Sequence, residues 1–252
     1  KTAYDEGEED WQGGMWGSFS LPDTEITDAN IEAASDADTA VYGIARNSGE
    51  GADRKNEKGD YQLTDIEYAN LQKLGANFEN VVVVLNVGGI VDTKFFHEIV
   101  GLDSLLLMSQ AGMEGGNALA DVISGKVTPS GKLTDTWAVD YEDYPSSDTF
   151  SSNDGNTDTE TYTDDIYVGY RYFDSFGVEP AYEFGFGLSY TTFDTEINYV
   201  QADEQTVTVN ATITNTGDTY SGKEVLEVYF SAPGGKVEKP YQELAGYAKT
   251  DE

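Results

Sequence analysis

Asn80-Val81-Val82-Val83-Val84-Leu85-Asn86-Val87-Gly88-Gly89 is the stretch on which the fold turns. Its apolar run, residues 81–85, is far short of the roughly 20 residues that span a bilayer and has the length of a strand. Because the run is continuous instead of alternating, it predicts a strand covered on both faces, as in a parallel sheet between helices. The glycine pair then marks an exit from strand to loop.

Working outward, the same pattern recurs. Residues 38–46 read as a buried strand that runs directly into a charged, glycine-bearing loop, Asn47-Ser48-Gly49-Glu50-Gly51-Ala52-Asp53-Arg54-Lys55. Between the two strands a helix opens at Leu63-Thr64-Asp65-Ile66-Glu67-Tyr68, where Thr64 and Glu67 have capping-box spacing and Leu63 and Tyr68 have staple spacing. Tyr68, Leu71, Leu74 and Phe78 continue it as one buried stripe. Residues 104–108 form a third strand, followed by a turn at 110–116 and a helix over 117–124; an earlier helix is capped by Thr27 or Asp28, with Ile31 and Ala34 on one face. Strands and helices alternating at this spacing predict βαβ units, and the exits after Arg46 and Leu85 share the carboxyl edge where open α/β sheets bind ligands. Residues 129–133 close the layer, and residues 134–137 add a short strand.

From about residue 140 the texture changes. Residues 146–164 are polar and of low complexity, which suggests a linker or excursion. Residues 166–173 and 182–190 are so rich in aromatic side chains, several alternating with glycine, that they are expected to be packed down. Residues 206–214 alternate strictly, turn at Asn215-Thr216-Gly217-Asp218, and alternate again over 224–231, a β-sandwich signature. The expected domains are therefore 1–139, an α/β layer with a largely parallel sheet; 140–190, a tyrosine-rich interdomain segment; and 191–252, an incomplete all-β sandwich. With Lys1 where an initiator methionine would stand, and too few strands to close a sandwich, both ends read as truncated.

The charge excludes whole classes of partner. With 14 Lys+Arg against 47 Asp+Glu the net charge is -33, which repels nucleic acid and anionic membranes but not a neutral substrate. Such acidity suits extracellular solubility or a salty habitat; an extracellular or periplasmic location is favoured, with the compartment left open. There is no cysteine, hence no disulfide framework, thiol nucleophile or cysteine metal site. His97 is the single histidine, in Lys94-Phe95-Phe96-His97-Glu98, where a surface or packing role is expected. No metal or organic cofactor is expected. Asn86-Val87-Gly88-Gly89 lacks the spacing and following lysine of phosphate-cradling loops, which argues against a nucleotide site.

Glu50 is the candidate that the loop isolates. Flanked by Gly49 and Gly51, its carboxylate is uncrowded at a strand exit, which suits either a solvated loop residue or a catalytic acid/base. Asp53 reads as a loop-structuring residue ahead of a second catalytic acid, and Arg54 as a loop clamp ahead of a contact to substrate, both being candidates for substrate binding or loop positioning; Arg54 and Lys55 would lower the pKa of Glu50 if they faced it, so they are expected to pair with Asp53 or Asp60 or to pin the loop. Glu114 suits a helix N-terminus, and Trp11 and Trp16 suit packing ahead of stacking against a ligand.

The ordered motifs carry a resemblance. Ser48-Gly49-Glu50-Gly51 with Asp53-Arg54-Lys55 and Gly59-Asp60 comes first, then residues 117–125 running into Pro129-Ser130-Gly131-Lys132-Leu133. Tyr167-Val168-Gly169-Tyr170-Arg171-Tyr172-Phe173, Phe184-Gly185-Phe186-Gly187-Leu188-Ser189-Tyr190 and Thr214-Asn215-Thr216-Gly217 follow. Together they resemble the second and third domains of glycoside hydrolase family 3, the β-glucosidase and β-xylosidase family. The resemblance implies an αβα sandwich followed by part of a fibronectin type III-like domain, and Glu50 as general acid/base. It also implies a nucleophilic aspartate on a (β/α)8 barrel outside this chain, since the family's Ser-Asp-Trp tripeptide does not occur here. Ala52 departs from the aromatic residue frequent in relatives, at a position bearing on leaving-group contacts. The implied partners are a glycoside or oligosaccharide substrate and the barrel of the same protein, with self-association left open. A non-catalytic carbohydrate-binding or scaffolding protein on the same sandwich folds is the alternative.

Overall fold

The computed structural model describes residues 23–46 and 53–251. Glu50, Trp11 and Trp16 lie outside the described residues. Chain packing divides the protein between Gly115 and Gly116 into two compact units.

The first unit is built on a parallel sheet. Helix α1 (Asp28–Ala33) is capped by Thr27, whose hydroxyl accepts from Asn30 N at 3.3 Å. Strand β1 (Thr39–Arg46), helix α2 (Asp65–Asn77) and strand β2 (Asn80–Val87) follow, then helix α3 (Lys94–Glu98) and strand β3 (Ser104–Leu107). The order is β1-β2-β3, all parallel, with Arg46 paired to Val87 and Leu85 to Leu107. Both exits of the sequence reading therefore leave from one edge. The central strand is covered as its composition predicts, with Val81, Val83, Val84, Leu85 and Val87 buried. β1 is not the buried strand expected: it pairs only with β2 among the described strands, its side chains alternate, Val41 is half exposed, and Ile44 alone is fully buried. An outer strand has one neighbour to cover it, whereas β2 has two.

Helix α2 packs against β1 and β2. Its capping box forms on both sides, with Glu67 N donating to Thr64 Oγ1 at 3.1 Å and Thr64 N to Glu67 Oε2 at 2.9 Å. Leu71 and Leu74 are buried as the stripe predicts, but so are Glu67 and Asn70. Asn70 is satisfied by Ile26 N at 2.7 Å, the Thr24 carbonyl at 2.9 Å and the Tyr42 hydroxyl at 3.2 Å, which removes the cost of burying an amide. The C-terminal half of α2 meets the turn after α3 so closely that a Cβ on Gly75 would lie 2.4 Å from the Val100 carbonyl oxygen. His97 is exposed on α3, edge-on to Phe96.

Helix α4 (Gly115–Ile123) leads into the second unit. A short strand β4 (Trp137–Ala138) pairs antiparallel with β5 (Pro180–Tyr182) across helix α5 (Tyr170–Phe176), so the expected strand at 134–137 is present but begins at Trp137. The aromatic segments are packed as expected: Tyr170 lies 5.2 Å from Phe184 and 5.6 Å from Tyr229, and Tyr144 lies 6.1 Å from Phe173, ring to ring. The Tyr229 hydroxyl donates to Glu227 at 2.6 Å, and burial followed by that carboxylate pushes its pKa far above the ordinary tyrosine value.

Two antiparallel pairs end the chain. β6 (Phe193–Ala202) pairs with β7 (Val207–Asn215), and β8 (Val225–Phe230) pairs with β9 (Glu243–Lys249). The strictly alternating run at 206–214 is thus partnered by the strand before it, through a turn in which Asp203 accepts from Gln205 N and Thr206 N at 2.8 Å each. These two amide bonds hold the Asp203 carboxyl below its ordinary pKa. The turn at 215–218 instead connects strands of different sheets, and Asn215 organises it by accepting from Thr191 Oγ1 and Gly217 N while donating to the Tyr220 carbonyl.

Candidate functional site

The candidate site is the carboxyl edge of β1 and β2, flanked in sequence by Arg46 and Asp53. Asp53 is exposed and makes no hydrogen bond or ion pair among the described residues. Arg54 turns inward: its Nη2 donates to the Asp60 carbonyl at 2.8 Å and its Nε lies against Asp60 Oδ1 as an ion pair. Its Nη1 is buried with no hydrogen-bond partner among the described residues. Lys55 N donates to Asp60 Oδ2 at 2.7 Å. The partner of this loop is therefore Asp60 and not Asp53.

Asp60 sits in a tight return. Gly59, at φ 87°, reverses the chain and donates to the Gln62 carbonyl at 2.9 Å; Tyr61 N reaches the Lys55 carbonyl at 3.2 Å. Asp92 N then donates to the Tyr61 carbonyl at 2.8 Å, stitching the return to the segment after β2.

Two further residues belong here that the sequence did not point to. Arg46 closes β1 with its guanidinium on Glu67: Nη1 to Oε1 at 2.8 Å and Nη2 to Oε2 at 2.6 Å, with both side chains 7% exposed. Its Nε donates to the Asp60 carbonyl at 2.8 Å, and Nη2 also reaches the Gln62 carbonyl at 3.2 Å. The only available signal was that a capping glutamate on a buried helix face needs a cation; sequence spacing does not say which one.

Two of the hollows in the described residues, of about 190 and 320 Å³, are lined by neither Asp53 nor Arg54. Among the described residues no group of three or more His, Cys, Asp or Glu side chains is placed to hold a metal, and no helix is long and apolar enough to cross a membrane.

Comparison with known proteins decides the family. The profile of the "Glycosyl hydrolase family 3 C-terminal domain" matches residues 8–190. The chain belongs to glycoside hydrolase family 3. Beta-glucosidase A of Butyrivibrio fibrisolvens is 41% identical over 277 aligned positions, covering 94% of this chain and 32% of that protein. A beta-glucosidase of Ruminococcus albus is also 41% identical, over 98% of this chain and 25% of its own length. The solved structure of beta-glucosidase 3B from Thermotoga neapolitana in complex with glucose superposes with a TM-score of 0.86 at 41% identity, covering 98% of this chain and 35% of that one. The family 3 chain described here thus spans about a third or less of these relatives, and its parallel three-stranded sheet and antiparallel pairs match their fold.

Proposed function

We propose that this family 3 chain is the part of a retaining, exo-acting β-glycosidase, a β-glucosidase, that supplies the general acid/base, Glu50. The observation that carries the reading is the 41% identity to proteins named beta-glucosidases along nearly the whole chain, with the Ser48-Gly49-Glu50-Gly51 motif inside the matched segment. Retention needs two carboxyl groups about 5 to 5.5 Å apart, one attacking the anomeric carbon while the other protonates the departing oxygen. In this assignment Glu50 gives its proton to the glycosidic oxygen as the bond to the anomeric carbon breaks, then takes a proton from the water that releases the sugar. The nucleophile is an aspartate of a barrel domain in the longer protein, in keeping with the greater length of the relatives. Arg54 positions the returning loop through Asp60, and exposed Asp53 is free to reach substrate or solvent. In this scheme the sequence divides into an αβα sandwich domain at 1–139, a tyrosine-rich interdomain segment at 140–190 and an incomplete fibronectin type III-like sandwich at 191–252.

The test uses the complete enzyme with Glu50→Ala, assayed on cellobiose and on dinitrophenyl β-glucoside, whose leaving group needs no proton. Cellobiose kcat/KM is expected to fall by about 10²- to 10⁴-fold, the contribution of a positioned acid, while the activated substrate loses far less. Cellobiose turnover near the wild-type rate removes Glu50 from the role.

A further inference from the structure

Arg46 is the last residue before the segment 47–52, and Arg54 follows it closely; side chains from both stems converge on one backbone oxygen, the carbonyl of Asp60. Arg46 Nε and Arg54 Nη2 each lie 2.8 Å from it. The Asp60 carboxylate adds the ion pair to Arg54 Nε and accepts Lys55 N at 2.7 Å, so one residue holds the returning stem by side chain and both stems by main chain. The assembly is anchored beyond the loop. Glu67 grips Arg46 with both oxygens and is itself fixed at the first turn of α2 by the reciprocal bonds with Thr64. Two guanidinium groups face two carboxylates, so the charges that burial would otherwise penalise are compensated.

From this geometry we infer that Asp60, acting with Arg46, Arg54 and Glu67, is a positioning residue that clamps both stems of the Glu50 segment and so sets where the proton donor stands. The inference rests on the assignment of Glu50 proposed above. A catalytic group on a glycine-flanked loop gains its effect only when held to within about 0.5 Å of its productive place, and a misplacement of about 1 Å costs on the order of 100-fold. Gly49 and Gly51 supply no such restraint through side chains. The clamp acts from outside the segment, on the residues that precede and follow it.

The consequence differs from that of a fold-stabilising contact. Loosening the clamp should impair proton donation and leave bond cleavage that needs no proton nearly intact. In the complete enzyme, Asp60→Asn and, independently, Arg54→Lys are assayed below their melting transitions for kcat/KM on cellobiose and on dinitrophenyl β-glucoside, beside Glu50→Ala. Asp60→Asn keeps the shared carbonyl but loses the carboxylate, and Arg54→Lys keeps charge but loses the fork. Expected is a cellobiose loss of about 10-fold or more with a change of under about 3-fold on the activated substrate, a fraction of what removal of a general acid costs. Equal losses on both substrates, or unchanged cellobiose turnover in a folded variant, overturn the inference. If Glu50→Ala shows the selective loss and neither clamp variant does, the clamp falls and the acid assignment stands. If Glu50→Ala spares cellobiose, it is the assignment that falls.

Discussion

Glu67 has two tasks on one side chain. Its Oε2 closes the capping box of α2 and, with Oε1, holds Arg46 at the end of β1. Thr64 at N-cap and Glu67 at N3 were legible because a capping box is a matter of three-residue spacing. The pairing with Arg46, 21 positions away in sequence, leaves no periodic trace and depends on where α2 lies on the sheet. With both side chains 7% exposed, removing one partner leaves a buried charge uncompensated. Glu67→Ala is therefore expected to lower unfolding free energy by about 3 to 5 kcal/mol in urea denaturation. Replacing both members with apolar residues, Arg46→Met with Glu67→Leu, should recover most of that loss. A Glu67→Ala cost below about 1 kcal/mol would show that the pair behaves like an exposed one.

At the scale of elements, the motifs that marked the family turn out to be packing partners. Pro129-Ser130-Gly131-Lys132-Leu133 lies along Gly185-Phe186-Gly187: Leu133 N donates to the Phe186 carbonyl and Gly185 N to the Leu133 carbonyl, both at 2.8 Å. Lys132 Nζ reaches the Gly187 carbonyl at 2.7 Å and Glu224 at 2.8 Å. A Cβ on Gly187 would stand 2.2 Å from the Gly131 carbonyl oxygen, so the two chains approach as closely as they do only because no side chain intervenes. Gly187→Ala is expected to destabilise the second unit by about 1 to 3 kcal/mol through this overlap, read as a lowered midpoint in thermal or urea unfolding. An unchanged midpoint would mean that the backbones separate without cost. The glycines were visible as punctuation in an aromatic run; that they answer each other across 56 positions was not, because close approach belongs to the pair and to neither sequence.

For the whole molecule, charge is the governing quantity. A net charge of -33 on 252 residues opposes compaction by self-repulsion, and mobile ions relieve it, with a Debye length of about 10 Å at 0.1 M. The melting temperature is expected to rise as NaCl goes from about 10 mM to about 0.5 M, where the Debye length has shortened several-fold. A flat or falling midpoint would mean that the described salt bridges, which salt weakens, outweigh the general repulsion. The sequence by itself determined the classes of element: a covered parallel strand from the unbroken run at 81–85, an amphipathic helix from a capping box and its apolar period, and paired strands from alternation at 206–214. Each of these is a local pattern whose period is the period of the backbone. It also determined the family, since motifs in order survive without coordinates. Only the tertiary structure decided that β1 is half exposed, that β7 pairs backward with β6, and that Arg46, Arg54 and Glu67 gather at Asp60. Those outcomes depend on which segments the folded chain brings together, and a buried charge finds its partner through space, not along the sequence.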